Sequence, residues 1–229
     1  MLRQILSGNF LWYELLSYVI SAIVVILLVL PLHECAHGFV AYKLGDPTAK
    51  GLRRLTLNPF HHIDWLGAAS IIFFGFGWAK PVPVNTRYFN NPKRDMALTA
   101  LAGPVSNLFA SLVASLLYNL SVFAFIETGV YFETWAYIIR YIFLFFAQIN
   151  ASLAVFNLIP IPPLDGSKIL FAFLPNRIYY QIMRYERYFG FILLIILVSG
   201  SSTDFIGDIS YNVYYTFIKL TGFIFGFNY

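Results

Sequence analysis

Leu15 to Leu32 carries no charged side chain. Its length approaches the ~20 apolar residues that a helix needs to cross the hydrocarbon of a bilayer. Comparable runs recur at Met96–Phe125, at Trp135–Ile159, at Phe189–Val198 (a helix expected to begin near Ile178), and from Phe205 or Ile209 to Phe227. These runs lack the alternation of a barrel strand. Only helices and closed barrels satisfy every backbone group in lipid, so helices are predicted. Composition agrees. Charged residues make up 11% of the chain and hydrophobic ones 59%, against roughly 25% charged in soluble domains. The expected fold is therefore an all-α integral membrane protein, a polytopic helical bundle of about five full spans plus one re-entrant or membrane-dipping hairpin.

The hairpin is expected between the first two long helices. Trp65 to Ala79 is apolar but falls short of a span, and it carries Gly67, Gly75 and Gly77. Lys50, Arg53 and Arg54 precede it, and Lys80, Arg87, Lys93 and Arg94 follow, so both flanks belong on one side. Extended backbone is expected around Lys80–Val84, where Pro81 and Pro83 interrupt any helix. The first long helix should run from Leu11 to Leu44. Gly45 suits the left-handed position after a helix end, and Pro47 prevents resumption.

Basic residues cluster in 45–95 and 166–188, whereas 126–133 and 199–208 contain acids and no base. The positive-inside rule then makes the first two segments cytoplasmic and leaves the N-terminus outside. No cleavable signal is expected, because Arg3 is the only base near the start and no small-x-small site follows the apolar run. Sixteen Tyr and four Trp suit interfacial belts. The net charge of +4 resides in membrane-protein loops, so no nucleic acid is expected as a partner. A single cysteine excludes an internal disulfide. One membrane-embedded domain is expected over 1–229, with a core at about 14–170 and further helices at about 178–228. The default location is a bacterial or archaeal cell membrane.

At the cytoplasmic end of the first apolar run stands His33-Glu34-Cys35-Ala36-His37. Ionisable groups at a membrane helix end are costly unless they serve a purpose. Residues four apart share a helix face, so His33 and His37 can offer two imidazoles to one zinc ion. Glu34 lies about 100° round the helix and can reach a water without ligating. Cys35 faces away and reads as small packing. Catalytic zinc takes three protein ligands and one open position. The metzincin pattern would need Gly at 40 and His at 43, where this chain has Val40 and Lys43. The next glutamate is Glu127, on the other side in this topology. Asp165 is the best candidate for the third ligand, with Gly166 beside it for close backbone approach. Asp46 and Asp64 are alternatives, and His61 and His62 are further candidates in a polar loop.

The chain resembles the site-2 protease family of intramembrane zinc metalloproteases, in its small single-domain branch without PDZ or CBS modules. The resemblance rests on His33-Glu34-x-x-His37 and on Asn157-Leu-Ile-Pro160-Ile-Pro162-Pro163-Leu164-Asp165-Gly166, with a proline spacing slightly different from the family's. Leu44–Ala49, Leu57–Asp64 and Ala102–Asn107 extend it, so it covers about residues 31–170. It implies that His33, His37 and Asp165 hold one Zn2+ per chain, that Glu34 is general base and acid, and that Asn157 stabilises the oxyanion. It implies as substrate a membrane protein with a transmembrane segment, met within the lipid bilayer. Blander roles stand beside these. Asn157 would equally cap a helix end before Pro160. His62 and Asp64 would pair in the loop or cap the dipping segment. Asn107 would make a helix–helix hydrogen bond or touch substrate. From another class, a metal transporter or metal sensor would use the same site. It predicts that Glu34→Gln leaves function intact. A catalytically inactive binding protein is the third possibility, against which stands the presence of every named residue.

Overall fold

A computed structural model of the chain describes residues 11–74, 77–175 and 203–229, together with 178, 185, 188 and 189. Among the described residues there are helices and no strands. Three are long and apolar enough to cross a membrane: α1 (Trp12–Lys43), α3 (Pro92–Glu127) and α4 (Thr134–Asn157). Between α1 and α3 lies the shorter apolar α2 (Trp65–Phe74). After α4 come α5 (Asp165–Phe171) and α6 (Thr203–Gly222). The span predicted at Phe189–Val198 lies outside the described residues. The last predicted span coincides with α6, which carries Asp204, Asp208 and Lys219 and is less apolar than the other three.

Antiparallel α3 and α4 follow from the short turn at 128–133, and α1 packs against both. In lipid no hydrophobic drive brings helices together, so small residues and interhelical hydrogen bonds do so. The Ser17 hydroxyl donates to the Ile138 carbonyl at 3.1 Å and that of Ser21 to Ile142 at 2.8 Å, joining α1 to α4. The Ser111 hydroxyl donates to the Ala147 carbonyl at 2.8 Å, joining α3 to α4. Around these contacts Tyr18, Ala22, Val25, Val29, Ile149 and Leu153 form the main apolar core. Arg140, buried in α4, stacks its guanidinium on Tyr131 and Tyr137 at 3.7 and 4.5 Å. It also donates to the Tyr131 carbonyl at 2.8 Å. A charge within an apolar helix is tolerated on those terms.

Two local features aim the polar end of α1. A π-turn at Val25–Val29 interrupts the α geometry just before Pro31. Proline has no N–H to give the preceding turn, and the wider π-turn absorbs it. The extra residue rotates everything beyond it about the axis, which fixes the face on which His33 and His37 emerge. The helix then ends at Lys43, with Gly45 at φ +108° as its sequence position requires.

The segment after α2 folds back on it. A Cβ on Gly67 would overlap the Trp78 backbone, and one on Gly77 would overlap the Gly67 carbonyl. Only glycines permit that approach. The return limb, Ala79–Asn85, has neither helix nor strand ladder and leads to α3.

Candidate metal centre

His33 and His37 project from α1 towards Asp165, the first residue of α5. His37 Nε2 lies 3.0 Å from His33 Nε2 and 3.1 Å from Asp165 Oδ2, and His33 Nε2 lies 3.3 Å from that same oxygen. The three residues are 5–7% exposed, so the triangle is buried. His37 Nδ1 lies 2.7 Å from the Thr99 carbonyl. A carbonyl only accepts, so Nδ1 carries a proton, and in the neutral ring Nε2 presents a bare lone pair. That lone pair and the carboxylate oxygen converge with His33 Nε2, so a proton or a metal ion must sit among them to relieve their repulsion. Tetrahedral zinc, with ligands at roughly 2.0–2.2 Å, sets neighbouring ligand atoms roughly 3.3 Å apart. Two neutral imidazoles and one carboxylate therefore fit this ion in donor chemistry and in spacing.

The supports around the triangle are specific. Thr99 supplies the kind of outer partner that would fix the tautomer of His37 were it to bind a metal. The Lys168 ammonium stands 3.1 Å from Asp165 Oδ1 and favours the ionised carboxylate. Gly103 brings α3 against both rings. A Cβ there would collide with His37 Nε2 and would stand 2.5 Å from His33 Cε1. Gly166 lets α5 turn in beneath the end of α4, since a Cβ would stand 2.6 Å from the Ile159 carbonyl oxygen. His33 Nδ1 is buried and has no hydrogen-bond partner among the described residues.

A cavity of about 220 Å³ opens on the triangle. Glu34 and Asn157 line it, with Trp78, Val82, Val84 and Lys168. Glu34 Oε2 accepts a hydrogen bond from the Val82 amide at 2.8 Å. Asn157, the last residue of α4, donates one N–H to the Leu153 carbonyl at 2.9 Å. An amide group has two donors, so a second N–H remains available to the cavity.

The other sequence candidates lie apart from the triangle. Asp46 is fully buried and accepts from the Thr48 backbone and hydroxyl and from the Asn85 amide, tying the end of α1 to the return limb. Asp64 accepts from Leu66 and Gly67 amides at 3.0 and 2.9 Å, capping α2. His61 is exposed, whereas buried His62 pairs through Nε2 with the Thr56 carbonyl at 2.8 Å. Cys35 is half-buried and its thiol donates to that same carbonyl at 2.9 Å. Glu127 stands exposed at the far end of α3. Asn107 is fully buried, and neither polar atom has a hydrogen-bond partner among the described residues. Sequence reasoning did not find Thr99, Val82 or Lys168. Lys168 alone had a signal, its spacing three residues after Asp165 on a helix. The other two act through backbone atoms.

The profile of Peptidase family M50 matches residues 122–198. The chain is 38% identical over 197 residues to a Bacillus subtilis protein called putative zinc metalloprotease YwhC, covering 82% of this chain and 84% of that one. It is 33% identical over 192 residues to putative zinc metalloprotease Rip2 of Mycolicibacterium smegmatis, covering 80% and 69%. Rip2 of Mycobacterium tuberculosis strain H37Rv is 32% identical over 141 residues, covering 59% and 50%. No solved structure matches the chain significantly. With a relative this similar over most of both lengths, and with a buried His-His-Asp triangle at its centre, the chain belongs to Peptidase family M50.

Proposed function

We propose that this chain is an intramembrane zinc endopeptidase that hydrolyses peptide bonds in or near transmembrane segments of other membrane proteins. The observation that carries this reading is the buried triangle of His33, His37 and Asp165 with a glutamate, Glu34, in the same cavity. His33, His37 and Asp165 hold one Zn2+. When bound, that ion supplies Lewis acidity towards a carbonyl and acidifies the attacking water. Glu34 takes the proton of that water and returns it to the leaving nitrogen, a role for which it must lie within hydrogen-bond reach of both. The free N–H of Asn157 is offered to the carbonyl oxygen as negative charge develops there. Burial of the triangle keeps bulk water away and strengthens each of these interactions.

The scissile carbonyl of a helical substrate is engaged in a backbone hydrogen bond. The substrate must therefore unwind before it enters. The glycine-bearing hairpin 65–84 is the reading's gate, with its extended limb along the cavity. In this reading the chain is one domain over 1–229, with about five spans and the hairpin dipping into the bilayer. The positive-inside distribution turns the site towards the cytoplasm of a multi-pass cell-membrane protein.

The test is cleavage of a single-span substrate in liposomes by the zinc-loaded chain, beside Glu34→Gln. A protease retains its zinc in this variant and loses ~10²–10⁴-fold in turnover. A metal transporter at the same site would keep its transport, and that result would replace this reading.

A further inference from the structure

The limb Lys80–Asn85 is held by hydrogen bonds at Lys80, Pro81, Val82 and Asn85. The Lys80 amide donates to the His62 carbonyl at 2.7 Å. Arg54 Nη2 donates to the carbonyls of Lys80 and Pro81 at 3.0 and 3.2 Å. The Val82 amide donates to Glu34 Oε2 at 2.8 Å, and the Asn85 amide to Asp46 Oδ2 at 2.7 Å. Pro81 and Pro83 have no N–H, so the Val82 amide is the sole backbone donor between Lys80 and Val84. It is directed at Glu34, the α1 carboxylate next in sequence to His33.

Packing places the limb with equal care. Gly38 stands one turn beyond Glu34 on α1, and a Cβ there would lie 3.1 Å from Val82 Cγ1 and 2.6 Å from Leu55 Cδ2. The bare helix surface is what lets the limb lie flat against α1. Arg54 follows Arg53, whose φ of +54° is left-handed. A non-glycine residue adopts that conformation at some cost. The turn carries Arg54 back towards the limb, where its guanidinium bridges two adjacent carbonyls.

We propose that Arg54 is a positioning residue for Glu34, acting through the limb. By clamping the Lys80 and Pro81 carbonyls, Arg54 fixes the Val82 amide, and that amide fixes one oxygen of the Glu34 carboxylate. The other oxygen is left directed at the cavity. A glutamate side chain turns about three bonds, and proton transfer requires it within about 2.6–3.2 Å of the proton it takes. A misplacement of ~1 Å costs roughly 10²-fold in rate. The proposal rests on Glu34 being the general base.

The test uses the full-length, zinc-loaded chain in detergent with fluorescein-labelled casein as probe. Arg54→Ala should lower kcat by ~10- to 100-fold, with KM within about threefold and zinc content unchanged. Arg54→Lys should recover part of the loss, since one donor still reaches a carbonyl. Val82→Pro, which deletes the donor, should match the loss, and Val82→Ala, which keeps it, should not. The double variant Arg54→Ala/Val82→Pro should be no worse than Val82→Pro, because both act on the same bond. Hydrogen exchange at the Val82 amide should accelerate in Arg54→Ala, a readout that does not need Val82→Pro to fold. Wild-type kcat in Arg54→Ala, or unchanged exchange at Val82, overturns the proposal. Full activity of Glu34→Gln instead overturns the general-base reading beneath it.

Discussion

Gly103→Ala is the smallest change that should disable the metal centre without touching a ligand. The added methyl would stand 2.5 Å from the Cε1 atoms of both His33 and His37. Carbon atoms rest about 3.5–4.0 Å apart. One of the two rings, or α3 itself, must therefore move by about 1 Å. A zinc site tolerates about ±0.2 Å in its ligand distances. Overpacking a close-packed interior costs about 1–3 kcal/mol, which at 1.36 kcal/mol per tenfold is a loss of about 5- to 150-fold in zinc affinity. The assay is competition for zinc against a chromophoric chelator of known affinity. Gly207→Ala in α6 is the control, because a Cβ there meets nothing within 4 Å among the described residues. Its affinity should equal that of the wild type. A Gly103→Ala protein that binds zinc within threefold of wild type would refute the packing argument, whatever its thermal stability.

Other substitutions separate the roles around the cavity. Asp165→Asn removes the anionic ligand and should weaken zinc binding by at least ~100-fold, read by the same competition. Asn157→Ala should retain zinc but lose ~10²–10³-fold in kcat on casein, as for the loss of one oxyanion donor. In the loop before α2, burial pushes the His62 pKa down, and the Thr56 carbonyl only partly opposes this. The folded loop therefore prefers neutral His62. Its stabilising contribution is complete above the unfolded value of ~6.5 and is lost as pH falls through the lower folded value. The Tm of the wild type should fall more steeply below pH 6.5 than that of His62→Gln. Parallel curves would contradict the assignment.

The fold was legible where lipid leaves little choice. The long runs at 12–43, 92–127 and 134–157 had to be helices, since no other local structure satisfies their backbone in hydrocarbon. Their ends were legible from Gly45, from the turn at 128–133 and from the prolines after Asn157. The π-turn at Val25–Val29 was not. Its register shift leaves no mark on composition, and only Pro31 hinted that the helix was disturbed. At the site, His33, Glu34 and His37 could be named from their spacing and Asp165 by exclusion, with Gly166 beside it, whereas Asn157 came from the family resemblance. The partners that orient them could not. The Thr99 carbonyl and the Val82 amide are backbone groups that every residue type carries, so no residue identity betrays them. Gly103 entered the sequence reading only as part of Ala102–Asn107. That it accommodates both imidazoles follows from the way α3 crosses α1.

Zinc K-edge X-ray absorption of the purified chain tests most directly whether His33, His37 and Asp165 together hold the ion. The account predicts one zinc per chain with two imidazole nitrogens at about 2.0–2.1 Å and carboxylate and water oxygens at about 2.0–2.2 Å. Asp165→Ala should bind zinc far more weakly. A sulfur shell near 2.3 Å, which Cys35 alone could supply, or a spectrum and affinity unchanged in Asp165→Ala, would contradict it.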